Sequence, residues 1–214
     1  VARVRIARIS VDSEVAFAVI EGGGDGPGLA ADALVKVIAA HPFGEITFAG
    51  PQFRGRDVRL LAPVLPSKII AVGKNYAAHA AEMGGEVPAE PMIFLKPSTS
   101  VVGPGTPIAL PPMSAQVEHE SELAVVIGRL CKEVPVERVA DVVLGYTCAN
   151  DVTARDHQRT DGQWGRAKGF DTFCPLGPWI ATNVDPADLR ITCSVGDRSE
   201  EHTSELQSRF GISY

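Results

Sequence analysis

No apolar run in the chain approaches the roughly 18 residues a membrane helix needs, so no membrane partner is expected. A basic excess is also missing. Net charge is −6 over 214 residues and the pI is near 5.4, which argues against a nucleic-acid surface. An acidic total still leaves room for a local cationic pocket that takes a small anion. Cysteine is scarce: Cys131, Cys148, Cys174 and Cys193 lie far apart, with no paired spacing. Zinc is therefore not expected, and reduced thiols in a cytoplasmic protein are the plain reading. Residues 1–9 carry Arg3, Arg5 and Arg8 but no following apolar core or small-residue cleavage site, so they do not read as a signal peptide. The glycine cluster at 22–28 lacks a Gly-x-Gly-x-x-Gly between a strand and a helix, and reads as a turn rather than a nucleotide loop. There is no internal repeat.

What is present is an ordinary soluble composition, 45% hydrophobic and 21% charged. The length suits one large domain, or one plus a small unit. Residues 4–9 and 15–20 alternate as two strands, residues 30–40 suggest a short helix, and residues 59–66 suggest a linker out of a small N-terminal α+β unit. Beyond it, strands are expected at 68–72, 92–95, 123–127, 144–149, 180–181 and 189–195, with helical turns at 136–143 and 153–158. The fold class is α+β, mostly β, with short helices.

The stretch that organises the rest is Gln116-Val117-Glu118-His119-Glu120-Ser121-Glu122-Leu123, running into a short β-branched strand closed by Gly128. On a strand, Glu120 and Glu122 point the same way, about 7 Å apart. Two carboxylates beside a buried run repel each other and need a cation, a proton or solvent. A divalent-metal site is one reading; a solvated edge-strand face is the other, and the two weigh about equally. Asp151, at the end of the 144–149 strand, would be a third carboxylate, or only a turn residue. Three carboxylates form a hard oxygen site suited to Mg²⁺ or Mn²⁺, with Ca²⁺ also admissible.

Other residues divide in the same way. Asn75 caps a helix candidate that Gly84-Gly85 ends, and on it His79 and Glu82 are three apart. They make either a general base with its orienter or, more simply on spacing alone, a solvated pair. Lys96 closes a strand as an anion binder or an exposed lysine. Arg155 and Gln158 share a helical face that can hold a carboxylate, or form a surface turn. Lys168 could stabilise an enolate oxygen or a substrate carboxylate.

Five ordered segments then carry a resemblance: Gly-Lys-Asn-Tyr-Ala-x-His-x-x-Glu-Met, Phe-Leu-Lys-Pro, His-Glu-x-Glu-Leu, Gly-Tyr-Thr-x-x-Asn-Asp-Val-Thr-Ala-Arg-Asp, and Lys-Gly-Phe-Asp-Thr-Phe-x-Pro-x-Gly-Pro-Trp. Over residues 67–196 the chain resembles the fumarylacetoacetate hydrolase family, and residues 1–66 resemble a small N-terminal unit found on some bacterial members. The resemblance implies a β-roll around Mg²⁺ or Mn²⁺. It maps metal ligands onto Glu120, Glu122 and Asp151, the water-activating pair onto His79 and Glu82, and the enolate-stabilising lysine onto Lys168. Arg155, Gln158 and Lys96 map onto substrate contacts. It implies a homodimer that hydrolyses, isomerises or decarboxylates 2-oxo acids or their enols. The rival reading is a non-catalytic member that binds a small dicarboxylate.

The likeness stops near the end. Residues 198–208 resemble the translation of a sequencing-library adapter, so residues 198–214 are expected to be an artefactual tail on a catalytic domain truncated at 197. The roll is then expected to be incomplete at its C-terminus and the chain to be inactive or poorly folded. His202 and Glu205 are given no catalytic meaning.

Overall fold

The structure, a computed structural model, describes residues 3–23, 28–75 and 88–195, and the backbone of 198–204. Its strands are β1 (Arg5–Val11), β2 (Glu14–Glu21), β3 (Leu34–Ile38), β4 (Phe48–Arg54), β5 (Arg59–Leu61), β6 (Ile69–Gly73), β7 (Met92–Lys96), β8 (Val101–Val102), β9 (Val117–Glu118), β10 (Ser121–Ile127), β11 (Val143–Asn150), β12 (Thr153–Ala154), β13 (Cys174–Ala181), β14 (Leu189–Val195) and β15 (Arg198–Ser204). Two short helices, α1 (Arg155–Thr160) and α2 (Gly165–Gly169), fall between β12 and β13.

One nine-stranded sheet dominates, in the order β10-β11-β13-β1-β2-β3-β4, with β5 on β1 and β8 on β13. It starts from a hairpin. Val11 pairs with Glu14, leaving a two-residue loop in which Asp12 and Ser13 both have positive φ, 47° and 71°. Such loops carry the twist of the flanking strands, and aspartate tolerates the left-handed backbone.

Strand β1 is buried on both faces. Ala7 and Ile9 pack with Ala18, Ile20, Ala33 and Val35, while Ile6, on the other face, packs with Val126 and Ile180. Because β1 pairs with β13 through Arg5↔Ala181 and Ile6↔Ile180, the sheet runs across residue 66 without a break. Residues 59–66, expected as a linker, begin with β5, in which Leu61 pairs with Arg8. Gly145 allows the close packing of β11 on β13: a Cβ there would lie 2.4 Å from the Ala181 carbonyl oxygen.

Two local expectations are corrected. Residues 30–40 are not a helix; their core is β3, which pairs with β2 from Ala18↔Val37 to Glu21↔Leu34. The run Leu-Val-Lys-Val-Ile is β-branched, and burial of Val35 on the sheet outweighs the helix propensity of the flanking alanines. Glu120 does not share a strand with Glu122 either. β9 pairs with β12 through Glu118↔Thr153, whereas β10 pairs with β11 through Ser121↔Asn150. The ladder breaks at His119 and Glu120, so alternation does not run from Glu118 to Glu122. Elsewhere the expected strands are present, and residues 136–141 form a single 3₁₀ stretch. Among the described residues no helix is long and apolar enough to cross a membrane.

Ile6 is fully buried at the seam between the N-terminal strands and the rest of the sheet. We expect Ile6→Ala to cost about 2–5 kcal/mol, read as a lowered urea midpoint with one transition for the whole chain. Two separate transitions, only one of them shifted, would show that the halves fold independently.

Candidate active site

Glu120 and Asp151 are brought together by the backbone. The Asp151 N–H donates to the Glu120 carbonyl at 2.8 Å, and the Glu120 N–H donates to Asn150 Oδ1 at 3.0 Å. The first step of the β10–β11 ladder thus sets both carboxylates at the same sheet end. Thr153 Oγ1 caps the turn by donating to the Asp151 carbonyl at 2.8 Å.

Helix α2 delivers Lys168 into this corner. Its ammonium donates to Glu120 Oε2 at 2.9 Å, to Asp151 Oδ2 and to Thr153 Oγ1 at 2.9 Å. Lys96, at the end of β7, donates to the second Asp151 oxygen and to the Lys168 carbonyl, both at 2.5 Å. Lys168 is therefore gripped at its head by carboxylates and at its backbone by another lysine. Lys168 and Lys96 are 2% and 3% exposed, and a buried ion left unpaired costs several kcal/mol. Their pairing with Asp151 is what makes that burial tolerable.

Arg155, at the start of α1, closes the outer side. Its Nη1 lies 2.6 Å from Glu120 Oε1 and donates to Gln158 Oε1 at 2.9 Å. Its Nε donates to Glu118 Oε2 at 2.8 Å. Hydrogen bonds from Arg155 and then Gln116 lower the Glu118 pKa. Burial works against the Arg155 charge, but Glu118 and Glu120 outweigh it and the guanidinium pKa is raised. Glu122 sits next along β10, paired with Ala149, and Asn75 Nδ2 donates to its Oε2 at 3.4 Å.

Aromatic faces line the inner wall. The Lys168 ammonium lies 5.0 Å from the Phe94 ring centroid and 5.8 Å from that of Trp164. The two rings meet edge-on at 5.4 Å. Trp164 presses so closely on β6 that a Cβ at Gly73 would lie 2.5 Å from it. Cys174 is buried nearby; burial pushes its thiol up to about 11, so it is protonated near neutral pH and is a poor nucleophile.

Of the expected site residues, the structure gathers Glu120, Asp151, Lys168, Lys96, Arg155 and Gln158, with Glu122 and Asn75 beside them. His79 and Glu82 lie outside the described residues. Lys96 is buried rather than exposed, and its ammonium meets the Asp151 carboxylate and the Lys168 carbonyl. Glu118, left without a role by the sequence, orients Arg155. Thr153, Phe94 and Trp164 join the corner without a sequence motif of their own. Thr153 lies two residues beyond Asp151, a hint that its hydroxyl serves the same corner; nothing in the local sequence marks the two rings.

All the donors that would hold a metal here are carboxylate oxygens, which fits a hard divalent ion. A cation already sits between two of them: the Lys168 ammonium bridges Glu120 and Asp151. In this arrangement no group of three or more His, Cys, Asp or Glu among the described residues is drawn together to hold a metal ion.

Residues 68–211 match the family model described as Fumarylacetoacetate (FAA) hydrolase C-terminal, and residues 4–63 match the one described as Rv2993c-like, N-terminal. The chain is 54% identical over 201 residues to Protein Rv2993c of Mycobacterium tuberculosis, covering 92% of this chain and 75% of that protein. It is 40% identical to oxaloacetate tautomerase Fahd2a, mitochondrial, of Rattus norvegicus, covering 89% of this chain and 59% of the rat protein. The crystal structure of 5-carboxymethyl-2-hydroxymuconate delta-isomerase from Mycobacterium smegmatis superposes with a TM-score of 0.85 at 53% identity, covering 94% of this chain and 76% of that one.

Helix α1 is fastened to the 114–116 loop through Asp156, which accepts from Ser114 Oγ at 2.7 Å and the Ala115 N–H at 2.8 Å. These bonds hold its carboxyl down at about 2, against 3.8 ordinarily. A depressed folded pKa gives stability that is fully present above the unfolded pKa and lost as pH falls through the folded one. We therefore expect this contribution to disappear between about pH 4 and pH 2. Asp156→Asn should remove that part of the acid-side slope in urea midpoints; an unchanged slope would show that the contacts do not matter.

Proposed function

Because the chain belongs to the fumarylacetoacetate hydrolase family, we propose that it is an enzyme of 2-oxo acids and their enols, and that its reaction is an isomerisation. The names of the rat and Mycobacterium smegmatis relatives, a tautomerase and an isomerase, support that choice. Glu120, Glu122 and Asp151 are the proposed ligands of Mg²⁺ or Mn²⁺. The observation that carries the reading is the buried corner in which Glu120 and Asp151 share one cation held by Lys168.

The chemistry asked of the site is modest. Tautomerisation of oxaloacetate moves a proton between C3 and the oxygen on C2; no carbon–carbon bond breaks and nothing is oxidised. When bound, a divalent cation supplies Lewis-acid polarisation of the 2-oxo group. Lys168 brings positive charge where the enolate oxygen develops, in a corner shielded from water. Arg155, with Gln158 beside it, is the proposed holder of a substrate carboxylate through a charge-assisted hydrogen bond. The proposed acid–base pair, which the family resemblance implies, is His79 with Glu82.

Against the expectation of an inactive chain, the protein should speed loss of the enol absorbance of oxaloacetate above the spontaneous rate when Mg²⁺ is present, and chelator should abolish the gain. Lys168→Met should lower kcat by roughly 10²–10³-fold, the usual cost of losing one donor to a developing oxyanion. Glu120→Ala should lower it as severely. Saturable binding of oxaloacetate with no rate above background would instead support the dicarboxylate-binding alternative.

A further inference from the structure

Arg155 is held on two sides and open on a third. A guanidinium carries its N–H donors in one rigid plane, and Nη2 belongs to both of its forks, one with Nε and one with Nη1. Glu118 takes Nε with Oε2 at 2.8 Å. Glu120 lies with Oε1 2.6 Å from Nη1. A carboxylate beside an arginine frequently closes the fork with its second oxygen, and neither glutamate does so here. Glu118 turns Oε1 to the Gln116 amide, whose Nε2 donates to it at 2.7 Å. Glu120 turns Oε2 to the Lys168 ammonium at 2.9 Å. Among the described residues Nη2 is left without a partner.

We propose that Gln116 is a positioning residue for substrate binding: by holding the second oxygen of Glu118, it keeps the Glu118–Arg155 pair single and reserves Nη2 for a substrate carboxylate. This rests on Arg155 as the proposed carboxylate holder. Local structure puts Gln116 in place. Its carbonyl accepts the Arg155 N–H at 2.7 Å, one step before β9 pairs with β12. Only one orientation of its amide suits both neighbours: Nε2 donates to the Glu118 carboxylate, and Oε1 accepts from Arg159 Nη2 at 2.9 Å. Arg159 lies one turn along α1 from Arg155 and fixes which way that amide faces. Without the amide, Glu118 is free to swing Oε1 onto Nη2 and close the fork. The guanidinium is then saturated by the protein's own carboxylates, and a substrate carboxylate has to displace one of them. The loss falls on binding rather than on chemistry, because the Gln116 side chain bonds Glu118 and Arg159 and not the Lys168 corner.

Capture of Nη2 by Glu118 has a signature that lost stability does not. Gln116 is exposed, so Gln116→Ala should melt like wild type. With Mg²⁺ saturating, it should raise the KM for oxaloacetate about tenfold, the scale of one charge-assisted hydrogen bond, and lower kcat by less than about threefold. Adding Glu118→Ala should bring KM down again, since no carboxylate remains to close the fork. A residue that only braced the loop would give a double variant at least as weak as the single one. Should Gln116→Ala fail to fold, Gln116→Met, which keeps the length and lacks the donor, takes its place in both comparisons. An unchanged KM, or a double variant no better than the single one, overturns the proposal and leaves the isomerase reading intact. If the chain binds oxaloacetate without turning it over, the isomerase reading falls, and the same comparison made on the calorimetric Kd decides the proposal. Failure of the wild-type chain to bind oxaloacetate at all overturns both.

Discussion

The ion pair between Lys168 and the carboxylates of Glu120 and Asp151 is the constraint around which the main half of the molecule is arranged. A buried charge without a partner is too costly to keep. Each element here supplies either a charge or the neutral group that completes its hydrogen bonds: β7 gives Lys96, the β10–β11 ladder gives Glu120 and Asp151, β12 gives Thr153, and α2 gives Lys168. Lys168 is the shared member, and without it both Glu120 and Asp151 lose a partner.

The large sheet makes such a corner affordable. Strand β1 is shared by two apolar clusters, one on each face, so the N-terminal strands and the β11–β13 pair form one framework. A third cluster of Val152, Ala154 and Phe173 packs directly behind Asp151 and Thr153. Rigid strand ends are good places to hold charged groups, because the ladder has already removed the backbone freedom that positioning them would otherwise cost. The outer rim is built differently. There Asp156, Gln116 and Arg159 tie α1 to the 114–116 loop through exposed and half-buried bonds, and Arg155 is aimed by Glu118 and Glu120 together.

Much of this was legible along the chain. The β-branched runs behind β10 and β11 announced strands, and Asn150-Asp151 at a strand end announced polar residues on a rigid support. The order of five motifs announced the family, which the matches at 68–211 and 4–63 bear out. Local reading failed where long-range contact outweighed it. The alanines around β3 favour a helix, yet Leu34–Ile38 lies in the sheet because β2 and β4 offer it partners on both sides. Glu118 shares a short stretch with Glu120 but belongs to another ladder.

The sequence by itself determined which chemical groups the corner holds and in what order the chain delivers them, since residue type and spacing are local properties. Only the tertiary structure decided who pairs with whom. Lys96 reads equally as an anion binder or an exposed lysine until Asp151, 55 positions away, arrives beside it. The lone glycine at 73 has no meaning until Trp164 is laid against it. Charge pairing and close packing act through space, and no window along a chain contains both partners.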